Sequence, residues 1–171
     1  MMNHLINLSE HFSLAELCKT RTGIENVPNE AQVENLKRLC QWLEQLRLRY
    51  NQMRNEKGEM RNGNEEMRNE VREYPIIINS GFRSPEVNKA VGGVATSNHL
   101  TGCAVDIRCI GMEQALRYAS ILLDISDMSR EDFDELLIEQ KRSVVWIHFA
   151  VRPSGNRRRC NFKCSVYRTY F

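Results

Sequence analysis

Two of the four histidines, His99 beside a strand and His148 within one, join Asp106, which stands where strand-like sequence would normally place an apolar side chain. In Cys103-Ala104-Val105-Asp106-Ile107, strand alternation puts Ala104 and Asp106 on one face and Val105 and Ile107 on the other. A carboxylate there is expensive unless a cation or a donor compensates it. His148 sits in Trp146-Ile147-His148-Phe149-Ala150, where Trp146, His148 and Ala150 share a face. His99 ends the glycine-bearing loop 92–98, in Ser97-Asn98-His99-Leu100-Thr101-Gly102. Two imidazoles and one carboxylate leave a fourth tetrahedral position open to water, the pattern of catalytic rather than structural zinc. Such a metal lowers the pKa of its water toward about 7 and polarises a carbonyl. The residues by themselves leave a second reading open: two satisfied core histidines beside a buried aspartate.

The elements that must hold these residues follow from periodicity and punctuation. Ser13-Leu14-Ala15-Glu16 predicts a capped short helix through Cys18. From Asn29, the spacing of Val33, Leu36, Leu39, Cys40, Leu43, Leu46 and Tyr50 predicts an amphipathic helix. Met53-Arg54-Asn55, Met60-Arg61-Asn62 and Met67-Arg68-Asn69 then repeat every seven residues. With Gly58 and Gly63 interrupting them, residues 51–70 read as a low-complexity surface insertion rather than a continued helix. Pro75 to Ser80 predicts a strand, and Ser84-Pro85 starts a short helix. Further elements are expected as a strand at 103–109, a helix at 111–123, a strand or helix edge at 134–140 and a strand at 144–151. The expected fold class is α+β, with helices packed around a small, mainly antiparallel sheet that carries the candidate zinc site. The expected organisation is one domain over 1–171 with a basic C-terminal tail from about 154.

Composition narrows the function classes. The chain of 171 residues is 42% apolar and 27% charged with a formal charge of +2, which gives no electrostatic case for nucleic acid as a partner. No apolar stretch approaches the roughly 18 to 20 residues of a membrane span. Met1 to Glu10 shows neither a basic nor an apolar signal region, so a monomer made in the cytoplasm without a signal peptide is expected. The six cysteines are scattered, which favours reduced thiols. Cys160 and Cys164 lack a second pair to complete a metal site.

Several motifs occur in order: Phe12-Ser13-Leu14-Ala15-Glu16-Leu17, Asn26-Val27-Pro28, Ser80-Gly81-Phe82-Arg83-Ser84, Val91-Gly92-Gly93, Ser97 through Asp106, and Trp146-Ile147-His148. Together they resemble the zinc D-alanyl-D-alanine carboxypeptidases and related phage endolysin peptidases. That superfamily also holds the D-Ala-D-Ala dipeptidases, lysostaphin-type enzymes and the hedgehog signalling domain. The resemblance implies one Zn2+ ion held by His99, Asp106 and His148, and a substrate among the peptides of peptidoglycan. It also implies that Arg83 faces the substrate, gripping a carbonyl or terminal carboxylate, and that Ser97 lies beside the first ligand. An endolysin-like protein of this kind would reach the wall after release by a phage-type lysis system.

One position departs from the pattern. Many relatives carry an acidic residue three positions before the last histidine, where it moves a proton between water and the leaving amine. Val145 stands there in this chain. Glu139, at the end of Leu136-Leu137-Ile138, is the nearest candidate base if a hairpin brings it across from His148, and Glu135 and Asp134 are weaker substitutes. The alternative to an active peptidase is a metal-bearing, catalytically weak module that binds wall peptides. Arg157-Arg158-Arg159 with Lys163 and Arg168 reads as a solvated face, or as a cluster that rests on anionic wall polymers.

Overall fold

A computed structural model describes residues 6–61 and 72–165. Five strands, β1 (Ile78–Ser80), β2 (Ala104–Cys109), β3 (Glu135–Lys141), β4 (Val144–Ala150) and β5 (Arg159–Ser165), form one sheet in the order β1-β2-β4-β3-β5. Every neighbouring pair is antiparallel except β3 and β5, which run parallel. Among the described residues the α-helices are α1 (Leu14–Leu17), α2 (Glu30–Arg61), α3 (Pro85–Ala90) and α4 (Met112–Ser129). The expected α+β class is therefore the observed one.

Alternation along the strands divides the sheet into an apolar face and a polar face. Val105, Ile107, Leu136, Ile138, Val145, Ile147 and Phe149 are buried on the apolar face. They share one core with Leu36, Leu39, Leu43 and Leu46 of α2 and with Tyr118, Leu122 and Ile125 of α4. Trp42 of α2 meets Phe149 with ring centroids 5.4 Å apart. Each such aliphatic or aromatic side chain stabilises the fold by about 1.5–3 kcal/mol on full burial, so helix packing fixes which way the sheet faces. The polar face is left for Asp106 and His148.

Two expectations from sequence are corrected. The helix predicted to give way at Asn51 continues to Arg61, through the first Met-Arg-Asn repeat. Tertiary contacts outweigh the weak local signal. The Asn51 side chain donates to the Tyr74 carbonyl at 3.0 Å and accepts from the Tyr74 N–H at 2.7 Å, and the Arg54 guanidinium lies 4.9 Å from the Tyr74 ring centroid. The third repeat, Met67-Arg68-Asn69, falls outside the described residues.

The supposed basic tail is the second correction, because 159–165 is strand β5 along β3. Its described cations are partly exposed, and each is paired with a carboxylate; Arg168 lies outside the described residues. Arg157 pairs with Asp134 and Glu135, Arg159 pairs with Glu135, and Arg158 turns to Asp127 and Asp132 at the end of α4. Among the described residues, no helix is long and apolar enough to cross a membrane.

Candidate metal centre

Register brings two of the candidate ligands together. β2 and β4 pair with Asp106 opposite His148, and alternation then aims both side chains to the polar face. His99 arrives from outside the sheet, on a 3-10 turn spanning Asn98–Thr101. Ser97 Oγ caps that turn by accepting the His99 N–H at 3.3 Å. Gly102 ends it with φ of 70°, and a Cβ there would lie 2.6 Å from the Gln32 carbonyl oxygen of α2. Only glycine satisfies both demands.

The ring orientation of His99 is also fixed. Its Nδ1 is 2.6 Å from the Gly81 carbonyl oxygen, which can only accept, so Nδ1 carries a proton and Nε2 is the nitrogen that faces Asp106 and that a metal would take. Gly81 is itself pressed against α1: a Cβ would come within 2.3 Å of the Leu17 carbonyl oxygen. His99 Nε2 lies 3.3 Å from Asp106 Oδ1, and His148 Nδ1 lies 3.0 Å from that oxygen. One ligand atom from each of the three residues falls within 4.8 Å of the others. Ligands on a tetrahedral ion at roughly 2.0–2.1 Å sit about 3.3 Å apart, so the donor set and its spacing both fit zinc.

Neighbouring groups hold these ligands in place. Arg83 donates from Nη2 to Asp106 Oδ2 and from Nε to Ser80 Oγ, which leaves Oδ1 of Asp106 for the metal. Glu135 Oε2 lies 3.4 Å from His148 Nε2 and accepts from Asn98 Nδ2 at 3.2 Å. A metal taken at Nδ1 of His148 would have the carboxylate-to-histidine support common around zinc. Burial opposes ionisation of Asp106, but the charge of His99 and hydrogen bonds from both histidines hold its carboxyl well below the usual range. The His148 hydrogen bond, aided by the charges of His148, Arg157 and Arg159, brings Glu135 down to about 2 against burial. For His148, burial alone would lower the pKa, yet Asp106 and Glu135 raise it to about 9.

That raised value gives a pH prediction. Below about 9 a proton competes for His148 in the metal-free protein, so zinc affinity should fall by about tenfold per pH unit from 9 downward. Calorimetry in buffers of different ionisation enthalpy should detect close to one proton released per zinc at pH 7; uptake without proton release would contradict the assignment. In the metal-free fold, His148 stabilises below its ordinary value of 6.5, and that contribution is lost as pH rises through about 9.

The proton-transfer candidates occupy distinct places. Val145 is buried on the apolar face, on the opposite side of β4 from His148, so a carboxylate at this position would point into the core. The expected hairpin does form, but Lys141 pairs with Val144, which places Leu137 rather than Glu139 across from His148. Glu139 is instead opposite Trp146, on the same face as His148 and two residues along. Its Oε2 accepts from Trp146 Nε1 at 2.9 Å, and its Oε1 is 3.4 Å from Lys163 Nζ. Asp134 is fully buried and held by Arg152, Arg157 and Asn98, so it serves structure.

Arg83, Ser97, His99, Asp106, Glu135, Glu139 and His148 all line one cleft of about 650 Å3. The supporting roles of Asn98 and Glu135 were not read from sequence. Alternation along 135–139 was the available signal, since it sets Glu135 and Glu139 on one face.

A two-histidine, one-carboxylate centre at the floor of a cleft, on the polar face of an α+β sheet, is the frame of a metallohydrolase. The family model for Peptidase M15 matches residues 10–148, and the chain belongs to that family. It is therefore a metallopeptidase. No curated protein matches the chain.

Proposed function

We propose that the protein is a zinc-dependent peptidase that cleaves D-Ala-containing stem or cross-link peptides of peptidoglycan, in the manner of a phage or prophage endolysin. The observation that carries this reading is the convergence of His99, Asp106 and His148 in a cleft that also holds a separate carboxylate, Glu139. Bound by those three residues, one zinc ion supplies Lewis acidity, polarising the scissile carbonyl and acidifying water.

The chain's own residues do the rest. Glu139 takes the proton from the attacking water and returns it to the leaving amine; the Trp146 indole holds its carboxylate on the cleft side. Arg83 keeps Asp106 oriented and has further N–H donors for the substrate carbonyl or terminal carboxylate. Ser97 contributes a polar rim next to His99. As a monomer, the protein acts on the wall once a lysis system releases it.

Glu139→Gln tests the base. Muropeptide cleavage should fall by about 10^2–10^4-fold while zinc content stays near one per chain. Unchanged cleavage by Glu139→Gln, with loss in Glu135→Gln, would move the role to Glu135. No cleavage of any wall peptide by the zinc-loaded wild type would favour the weak binding module.

A further inference from the structure

The cleft carries more cationic side chains than anionic ones. Arg83 already has a place in the peptidase reading beside Asp106, and Arg152 and Arg157 are held by the fully buried Asp134. Arg159 and Lys163 differ from these. They alternate along β5 on the same face as His148, opposite Glu135 and Glu139 in register, and both line the cleft.

Each is about half exposed, at 49%, and meets one carboxylate: Arg159 Nη1 donates to Glu135 Oε1 at 3.2 Å, and Lys163 Nζ lies 3.4 Å from Glu139 Oε1. A guanidinium has five N–H donors and an ammonium three, so these contacts leave most of their capacity for a ligand. The facing carboxylates are also held elsewhere, Glu135 by Asn98 and His148, and Glu139 by Trp146. An incoming anion therefore does not have to strip either cation of its sole neutralising partner at full strength. Both residues lie beyond the segment matched to the peptidase family, which ends at His148.

We propose that Arg159 and Lys163 form a carboxylate-binding subsite, so that the favoured substrates are acidic peptides with a free carboxylate away from the scissile bond. The proposal rests on the peptidase reading of the cleft. β5 is two strand spacings from β4, which places the subsite roughly 10 Å from the strand bearing His148. An extended peptide covers that distance in about three residues. The carboxylate recognised is thus internal, two or three residues from the bond cut, and distinct from a terminal carboxylate at Arg83.

The test compares two peptides on the zinc-loaded full chain: acetyl-L-Ala-γ-D-Glu-L-Lys-D-Ala-D-Ala, labelled on lysine, and its analogue with the glutamyl α-carboxylate amidated. Both cleavage and fluorescence-anisotropy binding are read. Wild type should favour the free carboxylate by about tenfold in binding and in kcat/KM. Arg159→Gln with Lys163→Gln should bring that ratio to about one, with binding of the amidated peptide within about twofold of wild type.

Because both cations also touch Glu135 and Glu139, a purely structural role would lower cleavage of both peptides equally and leave the ratio unchanged. An unchanged ratio, or a wild-type ratio of one, overturns the subsite. Should neither peptide be cleaved, a binding preference lost in the double variant upholds the subsite while the peptidase reading fails.

Discussion

Replacing His148 by alanine should remove zinc and peptidase activity together. Loss of a supporting group around a zinc ligand already costs about 10–100-fold in affinity or activity, so losing a direct ligand should cost about 10^3-fold or more. Two remaining ligands, His99 and Asp106, do not retain the ion against dilution. Elemental analysis should find under about 0.1 zinc per chain, and muropeptide cleavage should fall to background. The fold should persist, because His148 projects to the cleft while Ile147 and Phe149 on either side of it fill the core. Near-stoichiometric zinc in a folded His148→Ala protein would remove His148 from the ligand set. Glu139→Gln forms the matched contrast, losing turnover and keeping metal.

Asp134→Ala should give the largest loss of stability. The Asp134 carboxylate is fully buried and accepts from Arg157 Nε and Nη2, both at 2.8 Å, and from Asn98 Nδ2 at 2.8 Å; Arg152 Nε lies 3.0 Å away. Breaking a buried ion pair from one side costs about 3–5 kcal/mol, since the partner charges are left unpaired. Arg152 and Arg157 are partly exposed, and water relieves some of that penalty, so about 3 kcal/mol is expected. For a chain of this size that corresponds to about 6–12 °C in Tm.

The pH dependence gives an independent check on the cause. Burial opposes ionisation of Asp134, but hydrogen bonds from Arg157 and Asn98 and the charges of Arg152 and Arg157 hold its pKa below the ordinary 3.8. A depressed carboxylate contributes stability above its unfolded pKa and loses it as pH falls through the folded value. The gap in Tm between wild type and variant should therefore be full at pH 6 and narrow below about pH 4. A gap independent of pH, or a Tm within about 2 °C of wild type at pH 6, would assign the stability to packing instead. Because Asn98 joins Asp134 to the turn that carries His99, some loss of zinc affinity should accompany the unfolding effect.

What the sequence determined by itself was local. Alternation alone set Asp106 apart from Val105 and Ile107, and His148 apart from Ile147 and Phe149, because side chains on a strand change face at every residue. The order of motifs pointed to the family, and the apolar periodicity of 33–50 located the helix that covers the sheet. The same local rule exposes Val145 as a core residue once 144–151 is read as a strand, since positions 145 and 148 must face opposite ways.

The tertiary structure decided everything that depends on partners distant in sequence. That Asp106 faces His148 is a matter of β2–β4 register, fixed by which hydrophobic face packs on α2 and α4. The Lys141–Val144 pairing at the hairpin turn moved Glu139 from opposite His148 to opposite Trp146, a shift of two residues that local sequence did not encode. β5 was overlooked although Cys160, Phe162 and Cys164 alternate with polar residues as a strand requires, because the charge of Arg157-Arg158-Arg159 dominated the local signal; its place is set by ladder bonds to β3 and by carboxylates on that strand. Zinc-competent chemistry was thus written in residue types and strand alternation, whereas the supports of each ligand and the cationic wall of the cleft exist only once the strands are paired.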